Sequence, residues 1–181
     1  ATEAALVQLG VDIQHTSKTE LMVKGVGMHG LQNPSRSINL GNSGTSTRLF
    51  AGILAGAGVE CEIIGDTSLM TRPMNRIVKP LQQMGANISA EDDGTLPLKI
   101  GKAKSLTAID CRCPVASAQL KSCLLLAGLY ADGKTIIHEP AISRDHTERM
   151  LKAFGVEIEQ NGLTVSLKGG KTLKSTSIKI P

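Results

Sequence analysis

Leu6-Val-Gln-Leu-Gly10-Val-Asp-Ile13, Leu81-Gln-Gln-Met-Gly85-Ala-Asn-Ile88 and Leu151-Lys-Ala-Phe-Gly155-Val-Glu-Ile158 are one phrase written three times. Each has the form apolar-x-x-apolar-Gly-small-polar-Ile. Apolar residues three apart mark the buried stripe of a helix, and the Gly that follows tolerates the positive φ that closes a helix. The residues after it alternate as a strand does. A second short strand is expected after each copy, at Leu21–Val23, Leu96–Ile100 and Leu163–Leu167, followed by Gly25, Gly101 and Gly169.

A second element also recurs. Thr45–Gly58 (TSTRLFAGILAGAG) parallels Leu120–Gly133 (LKSCLLLAGLYADG). Both read as apolar helices ending in Gly. Both lead to a β-rich run, Val59–Ile64 and Lys134–His138, then to a polar loop and a further helix, from Arg72-Pro73-Met74 and from Arg144-Asp145-His146. Internal repetition on this scale means stacked copies of one supersecondary unit. The unit reads helix, strand, helix, strand, strand in cyclic order, which makes the fold class α/β (α+β). Two complete units, at about 37–108 and 109–181, follow the tail of an earlier one at 1–36. Ala1–Ala5 already reads as helix, so residues are expected upstream. Ser177-Ile-Lys-Ile-Pro181 reads as a strand-like run stopped at a domain boundary.

Composition narrows the function. Aromatic residues are 2% of the 181, with no Trp, so the core must be built from Leu, Ile, Val, Ala and Met. Single-stranded nucleic acid is usually stacked on aromatic side chains, and the basic residues are scattered rather than clustered. No nucleic-acid partner is expected. A net charge of +4 suits small anions. Cys111-x-Cys113 lacks zinc-knuckle spacing and, with Cys61 and Cys123, reads as packing in strands and helices. No signal-peptide pattern or membrane-length apolar run is present, so the chain reads as soluble and cytoplasmic.

Four loops precede helices. Leu40-Gly-Asn-Ser-Gly-Thr-Ser-Thr-Arg48 offers backbone N–H groups and hydroxyls at a helix start, which suits an anion. The dipole alone contributes only about 0.3–1 kcal/mol, so Arg48 or another cation must assist. The loop lacks the Gly-Lys-Ser/Thr ending of a Walker loop, and it also reads as an ordinary capped turn. In Asp66-Thr-Ser-Leu-Met-Thr-Arg72-Pro73, Pro73 suits the first helical position and leaves Arg72 outside the helix to meet a carboxylate or phosphate. Arg72 could equally pair with Asp66 at the surface. Pro114-Val-Ala-Ser117-Ala-Gln119-Leu-Lys121 brings hydroxyl, amide and ammonium to a helix start. In its plain structural reading Ser117 is a cap and Lys121 is solvated. Ser143-Arg144-Asp145-His146-Thr147-Glu148 contains Asp145 and Glu148 at capping-box spacing, leaving Ser143, Arg144 and His146 as site candidates. Similar units in similar orientation would bring these helix starts to one end of the domain. The expected ligand carries phosphate and hydroxyl groups.

In this order, Leu40-Gly-Asn-Ser-Gly-Thr45, Arg72-Pro73-Met74, Ser117-Ala-Gln-Leu-Lys121 and Arg144-Asp-His-Thr-Glu148 resemble the loops of the 5-enolpyruvylshikimate-3-phosphate synthase family, along essentially the whole chain. The resemblance implies a fold of two similar domains, each of three βαβαββ units around a pseudo-threefold axis. This chain is then the shikimate-3-phosphate-binding domain with its first unit incomplete. It also implies transfer of enolpyruvyl from phosphoenolpyruvate to the 5-hydroxyl of shikimate 3-phosphate, with no metal or organic cofactor. Carried over by motif, Asn42, Gly44, Thr45, Arg72 and Gln119 meet phosphoenolpyruvate. Ser117, Ala118, Gln119, Ser143, Arg144 and His146 meet shikimate 3-phosphate. His146 stands where many relatives have Tyr, and Ala118 where many have a second Ser. No residue within the chain is assigned the proton transfers, which the resemblance gives to a C-terminal partner domain. The family's Lys-Ser-x-x-x-Arg segment has no match. The isolated chain is therefore expected to lack transferase activity, and turnover by the purified chain would contradict this.

Signals for the inhibitor glyphosate conflict. Ser-Ala-Gln-x-Lys and Arg-x-His-x-Glu resemble the tolerant bacterial class, while Gly44 is the small residue of sensitive members. Two other readings stand beside the first. One is a domain of the sister UDP-N-acetylglucosamine enolpyruvyl transferase, which usually carries a reactive loop Cys. The other is a non-catalytic anion-binding module.

Overall fold

Gly10, Gly85 and Gly155 take φ of 88°, 91° and 82°, so the three copies of the quoted phrase turn the chain in the same way. The structure is a computed structural model and describes residues 1–179. Along the chain run helix α1 (Thr2–Gln8), strands β1 (Asp12–His15), β2 (Leu21–Lys24) and β3 (Ile38–Asn39), and helix α2 (Gly44–Ala57). Strand β4 (Cys61–Ile64), helices α3 (Thr67–Met70) and α4 (Asn75–Gln83), and strands β5 (Asn87–Ser89), β6 (Leu98–Gly101) and β7 (Asp110–Arg112) follow. Helix α5 (Ala118–Gly128), strand β8 (Lys134–His138), helix α6 (His146–Ala153), and strands β9 (Ile158–Asn161) and β10 (Thr164–Lys168) complete the order.

Two four-stranded sheets have one topology. The first runs β3-β4-β6-β5 and the second β7-β8-β10-β9. In each, the first two strands are parallel and the remaining pairs antiparallel. β1 and β2 form an antiparallel pair alone, matching β5–β6 and β9–β10. Setting the short α3 aside, β-α-β-α-β-β occurs twice after an α-β-β start, the repeated α/β architecture expected from the sequence.

α5 occupies the centre. Leu120 to Leu125, Ala127 and Gly128 are all buried, because α2, α4, α6, β8 and β10 surround the helix. Full burial of one such Leu side chain contributes about 1.5–3 kcal/mol. α2 buries one face, through Thr47, Phe50, Ala51, Gly52, Leu54 and Ala55. The two helices are parallel: Thr45 lies by Gln119, Gly52 by Cys123 and Gly56 by Tyr130. A Cβ on Gly52 would stand 2.3 Å from the Cys123 carbonyl oxygen, so the backbones touch there. All four cysteines are free thiols.

Four expectations need correction. The helix expected over Leu120–Gly133 ends at Gly128, since Asp132 is bonded into the neighbouring segment: its N–H donates to Leu106 (2.8 Å) and its carbonyl accepts from Ala108 (2.8 Å). Gly133 (φ 103°) opens the turn into β8 instead. Pro73 is not the first helical residue of α4. The fully buried Met74 follows it, gives its N–H to the Gly94 carbonyl at 2.7 Å, and delays the helix to Asn75. Asp145 makes no side-chain cap bond and Glu148 points into the core, so the capping box does not form. Over 177–179 the expected terminal run is not a strand, and Ile180 and Pro181 lie outside the described residues.

Candidate functional site

Two helix starts are built alike. Ser43 caps α2, its hydroxyl accepting from Ser46 N–H at 3.2 Å. Ser117 caps α5 in the same way, accepting from Leu120 N–H at 3.3 Å. Each cap satisfies the third N–H of its helix. The second residues of the two helices, Thr45 and Gln119, have no intrahelical acceptor for theirs. Gln119 Nε2 donates to Thr45 Oγ1 at 2.8 Å, and this bond fastens the two starts together. The parallel packing of α2 and α5 is what allows it.

The third element is the loop before α6 together with the first residue of that helix. Arg144 and His146 join Thr45, Ala118 and Gln119 around a cleft of about 280 Å³. Ser117 and Ser143 line an adjoining recess of about 700 Å³, which shares Ala118, Gln119 and Arg144 with it. Three of the four predicted loops therefore meet. The hydroxyl of Ser143 is buried and without a partner.

The remaining predicted residues cluster beside Gly44. Arg72 Nη2 donates to Asn42 Oδ1, and Asn42 Nδ2 donates to Asp66 Oδ2 at 2.8 Å. Asp66 also caps α3 through Leu69 N–H at 2.8 Å. That bond, followed by the one from Asn42, holds the Asp66 carboxyl below the ordinary range. The Asp66–Arg72 ion pair weighed as an alternative is thus replaced by an amide bridge. A Cβ on Gly44 would lie 2.8 Å from Arg48 Nη1 and 3.1 Å from Arg72 Nη1, so the backbone approaches two guanidinium groups closely. Burial first, and then the charges of Arg72 and Arg76, push the Arg48 guanidinium below its ordinary value.

Some contributors were not foreseen. The sequence offers Arg48 only as a possible helper. It donates to the carbonyls of Gly44 (2.9 Å) and Pro73 (3.2 Å), tying the first loop to the second. Leu49, Ser122 and Met150 line the cleft. They stand one helical turn after Thr45, Gln119 and His146, a spacing from which the sequence could have named them. Lys121 is the largest departure. Far from being solvated, it is 3% exposed and meets Glu139 Oε2 and Glu148 Oε1, each at 2.7 Å. Burial alone would lower its pKa, but the hydrogen bonds and charges of the two glutamates outweigh this and raise it above the ordinary lysine value.

The EPSP synthase (3-phosphoshikimate 1-carboxyvinyltransferase) family model matches residues 1–181. A 3-phosphoshikimate 1-carboxyvinyltransferase of Methylococcus capsulatus is 50% identical over 181 residues, covering 100% of this chain and 41% of the relative. One of Hydrogenovibrio crunogenus is 48% identical over 186 residues, covering 100% and 42%. A solved EPSP synthase of Acinetobacter baumannii superposes with a TM-score of 0.93 at 46% identity, over 98% of this chain and 40% of that one. The chain spans about two fifths of the length of these curated relatives. With the repeated units and loops described above, these matches place the chain in the EPSP synthase family.

Proposed function

We propose that this chain is the shikimate-3-phosphate-binding domain of an enzyme that transfers enolpyruvyl from phosphoenolpyruvate to the 5-hydroxyl of shikimate 3-phosphate. The observation that carries this reading is the Gln119–Thr45 bond of 2.8 Å. It makes one surface of two helix starts, with Arg144 across the cleft and Arg72 beside it. Free N–H groups, hydroxyls and guanidinium groups then converge where a phosphorylated diol would lie.

In this reading the hydroxyls of Ser117 and Ser143 and the N–H groups of Ala118 and Gln119 hold the shikimate phosphate, with Arg144 supplying charge. Ser143 turns its hydroxyl outward when the anion arrives, and His146 closes the cleft wall. Gln119 lies between the two substrates. Arg72 takes the phosphoenolpyruvate phosphate, Asn42 aims it, and Gly44 and Thr45 let the backbone come close. These residues bind and orient. Proton transfer falls to the C-terminal domain, so the chain alone is inactive. Residues 37–108 and 109–181 are its two complete units, and residues 1–36 are the tail of a first, incomplete one. We place the enzyme in the cytoplasm, the setting the family resemblance implies; among the described residues no helix is long and apolar enough to cross a membrane.

Calorimetric titration with shikimate 3-phosphate, with and without a supplied C-terminal domain, tests the reading. Weak binding alone and strengthened binding with the partner are expected. No binding in either arm would refute it.

A further inference from the structure

Lys121, Glu139 and Glu148 form a cluster that the substrate contacts do not use. Their side chains are 4%, 7% and 2% exposed. Such a cluster is a poor device for stability alone, because replacing a buried ion pair by apolar groups of similar volume is often neutral or stabilising. Its position in the chain is more informative. Glu139 directly follows β8, and Glu148 lies in the first turn of α6. Between them runs the loop that carries Ser143, Arg144 and His146. Lys121 lies in the first turn of α5, two residues after Gln119. One ammonium therefore holds both ends of one binding loop and belongs to the helix start that carries the other.

The cluster also borders a cavity of about 20 Å³ lined by Lys121, Glu139, Ser143 and Glu148, with Leu163 and Val165 as apolar wall. Glu139 Oε1, both carboxylate oxygens of Glu148 and Ser143 Oγ are buried without hydrogen-bond partners, apart from the Lys121 ammonium 2.7 Å from Glu148 Oε1. A cavity holds a water when it offers at least about 10–15 Å³ and two to four polar partners. This one meets both conditions. A water could donate to Glu139 Oε1 and Glu148 Oε2 and accept from the Ser143 hydroxyl.

We propose that Lys121 is a positioning residue: it clamps the 140–147 loop through Glu139 and Glu148 and, through one water in the cavity, reaches Ser143. The clamp fixes the distance between the Ser117–Gln119 helix start and the Ser143–His146 loop, and hence the width of the cleft. Its effect on substrate rests on the function proposed above. The clamp itself does not.

The test uses Lys121→Met and the apolar triple variant Lys121→Met/Glu139→Leu/Glu148→Leu. The triple leaves no unpaired buried charge and so remains informative if the single variant fails to fold. Amide hydrogen exchange on the 181-residue chain should be at least tenfold faster over 141–147 in the triple variant, with the β8–β10 amides unchanged. With the C-terminal domain supplied, shikimate 3-phosphate should bind at least tenfold more weakly while phosphoenolpyruvate binding is retained. Lys121→Arg should restore much of both. Unchanged loop exchange in the folded triple variant would overturn the clamp. Wild-type protein that fails to bind shikimate 3-phosphate would sink the proposed function, and the exchange result would still decide the clamp.

Discussion

Gly52→Ala is the sharpest probe of how the site is held. The added methyl would sit 2.3 Å from the Cys123 carbonyl oxygen and 3.0 Å from its carbonyl carbon. Both are backbone atoms of the buried α5, so no rotamer change relieves the clash. The helices must separate by about 1 Å to reach ordinary contact. Overpacking of this kind costs about 1–3 kcal/mol, occasionally more, and rigid backbone on both sides puts Gly52 at the upper end. Alanine returns about 1 kcal/mol of helix propensity. A net loss of about 2 kcal/mol lowers the Tm by about 4–8 °C in a chain of this size. The separation also reaches the site, because α2 and α5 carry the Thr45–Gln119 bond at their starts. Gly58→Ala is the comparison: φ is 70° but nothing lies within 4 Å of the added methyl. It should show only the cost of a left-handed alanine, about 1 kcal/mol, and leave binding intact. Thermal unfolding of both variants, with shikimate 3-phosphate titration, reads the outcome. A Gly52→Ala protein with unaltered Tm would refute the claim that these backbones are in contact.

Other expectations follow from the same geometry. Gly44→Ala crowds only the guanidinium tips of Arg48 and Arg72, reaches Leu69 Cδ1 at an ordinary 3.7 Å, and needs no positive φ, so its Tm should stay within about 2 °C of wild type. Displacing Arg72 should weaken phosphoenolpyruvate binding several-fold, measured by titration of the complemented protein. The depressed carboxyl of Asp66 gives stability that is present above the ordinary carboxylate range and lost as pH falls through its lowered folded value. Asp66→Asn should flatten that acid limb in a pH series of unfolding curves. Among the thiols, the adjacent Cys113 draws Cys111 down, against burial, while burial pushes Cys61 and Cys123 up to about 12. Cys111 also lies in a pocket with Arg76, Lys79 and Arg112. An anionic thiol reagent at pH 8 should label it before the others, as peptide mapping would show.

The sequence disclosed the fold where the signal was local. Gly10, Gly85 and Gly155 each announce a helix end within eight residues, and all three adopt the expected left-handed turn. Reading failed where a distant partner decided the outcome. Gly133 looked like the end of a helix, yet that helix had already stopped because Asp132 pairs with Leu106 and Ala108 across the chain. Asp145 and Glu148 have the spacing of a capping box. A buried ammonium twenty-seven residues earlier takes the glutamate instead, since opposite charges attract far more strongly in the interior than at a wet helix end. The site divides in the same way. Loop chemistry named Thr45, Ser117, Gln119 and Arg144, which meet around adjoining recesses. The links between loops, Arg48 to Pro73 and Asn42 to Asp66, depend on tertiary proximity that no short motif encodes.

The amide bridge at Asn42 has a kinetic consequence. Placed between Asp66 and Arg72, the side chain works as an insulating spacer. It takes the carboxylate with its nitrogen and the guanidinium with its oxygen, and so keeps the two charges from cancelling at contact distance. Arg72 is already aimed, and its closest partner is neutral. An arriving anion has a carbonyl to displace and no ion pair to break, which removes one barrier from the approach. Arg72 and Arg76 both lie near enough to Arg48 for it to feel their charges, and the guanidinium field extends outward over roughly a Debye length, about 8 Å at physiological salt. On the function proposed above, the asparagine would then set how quickly a phosphate is captured, and the arginine beside it how firmly it is kept.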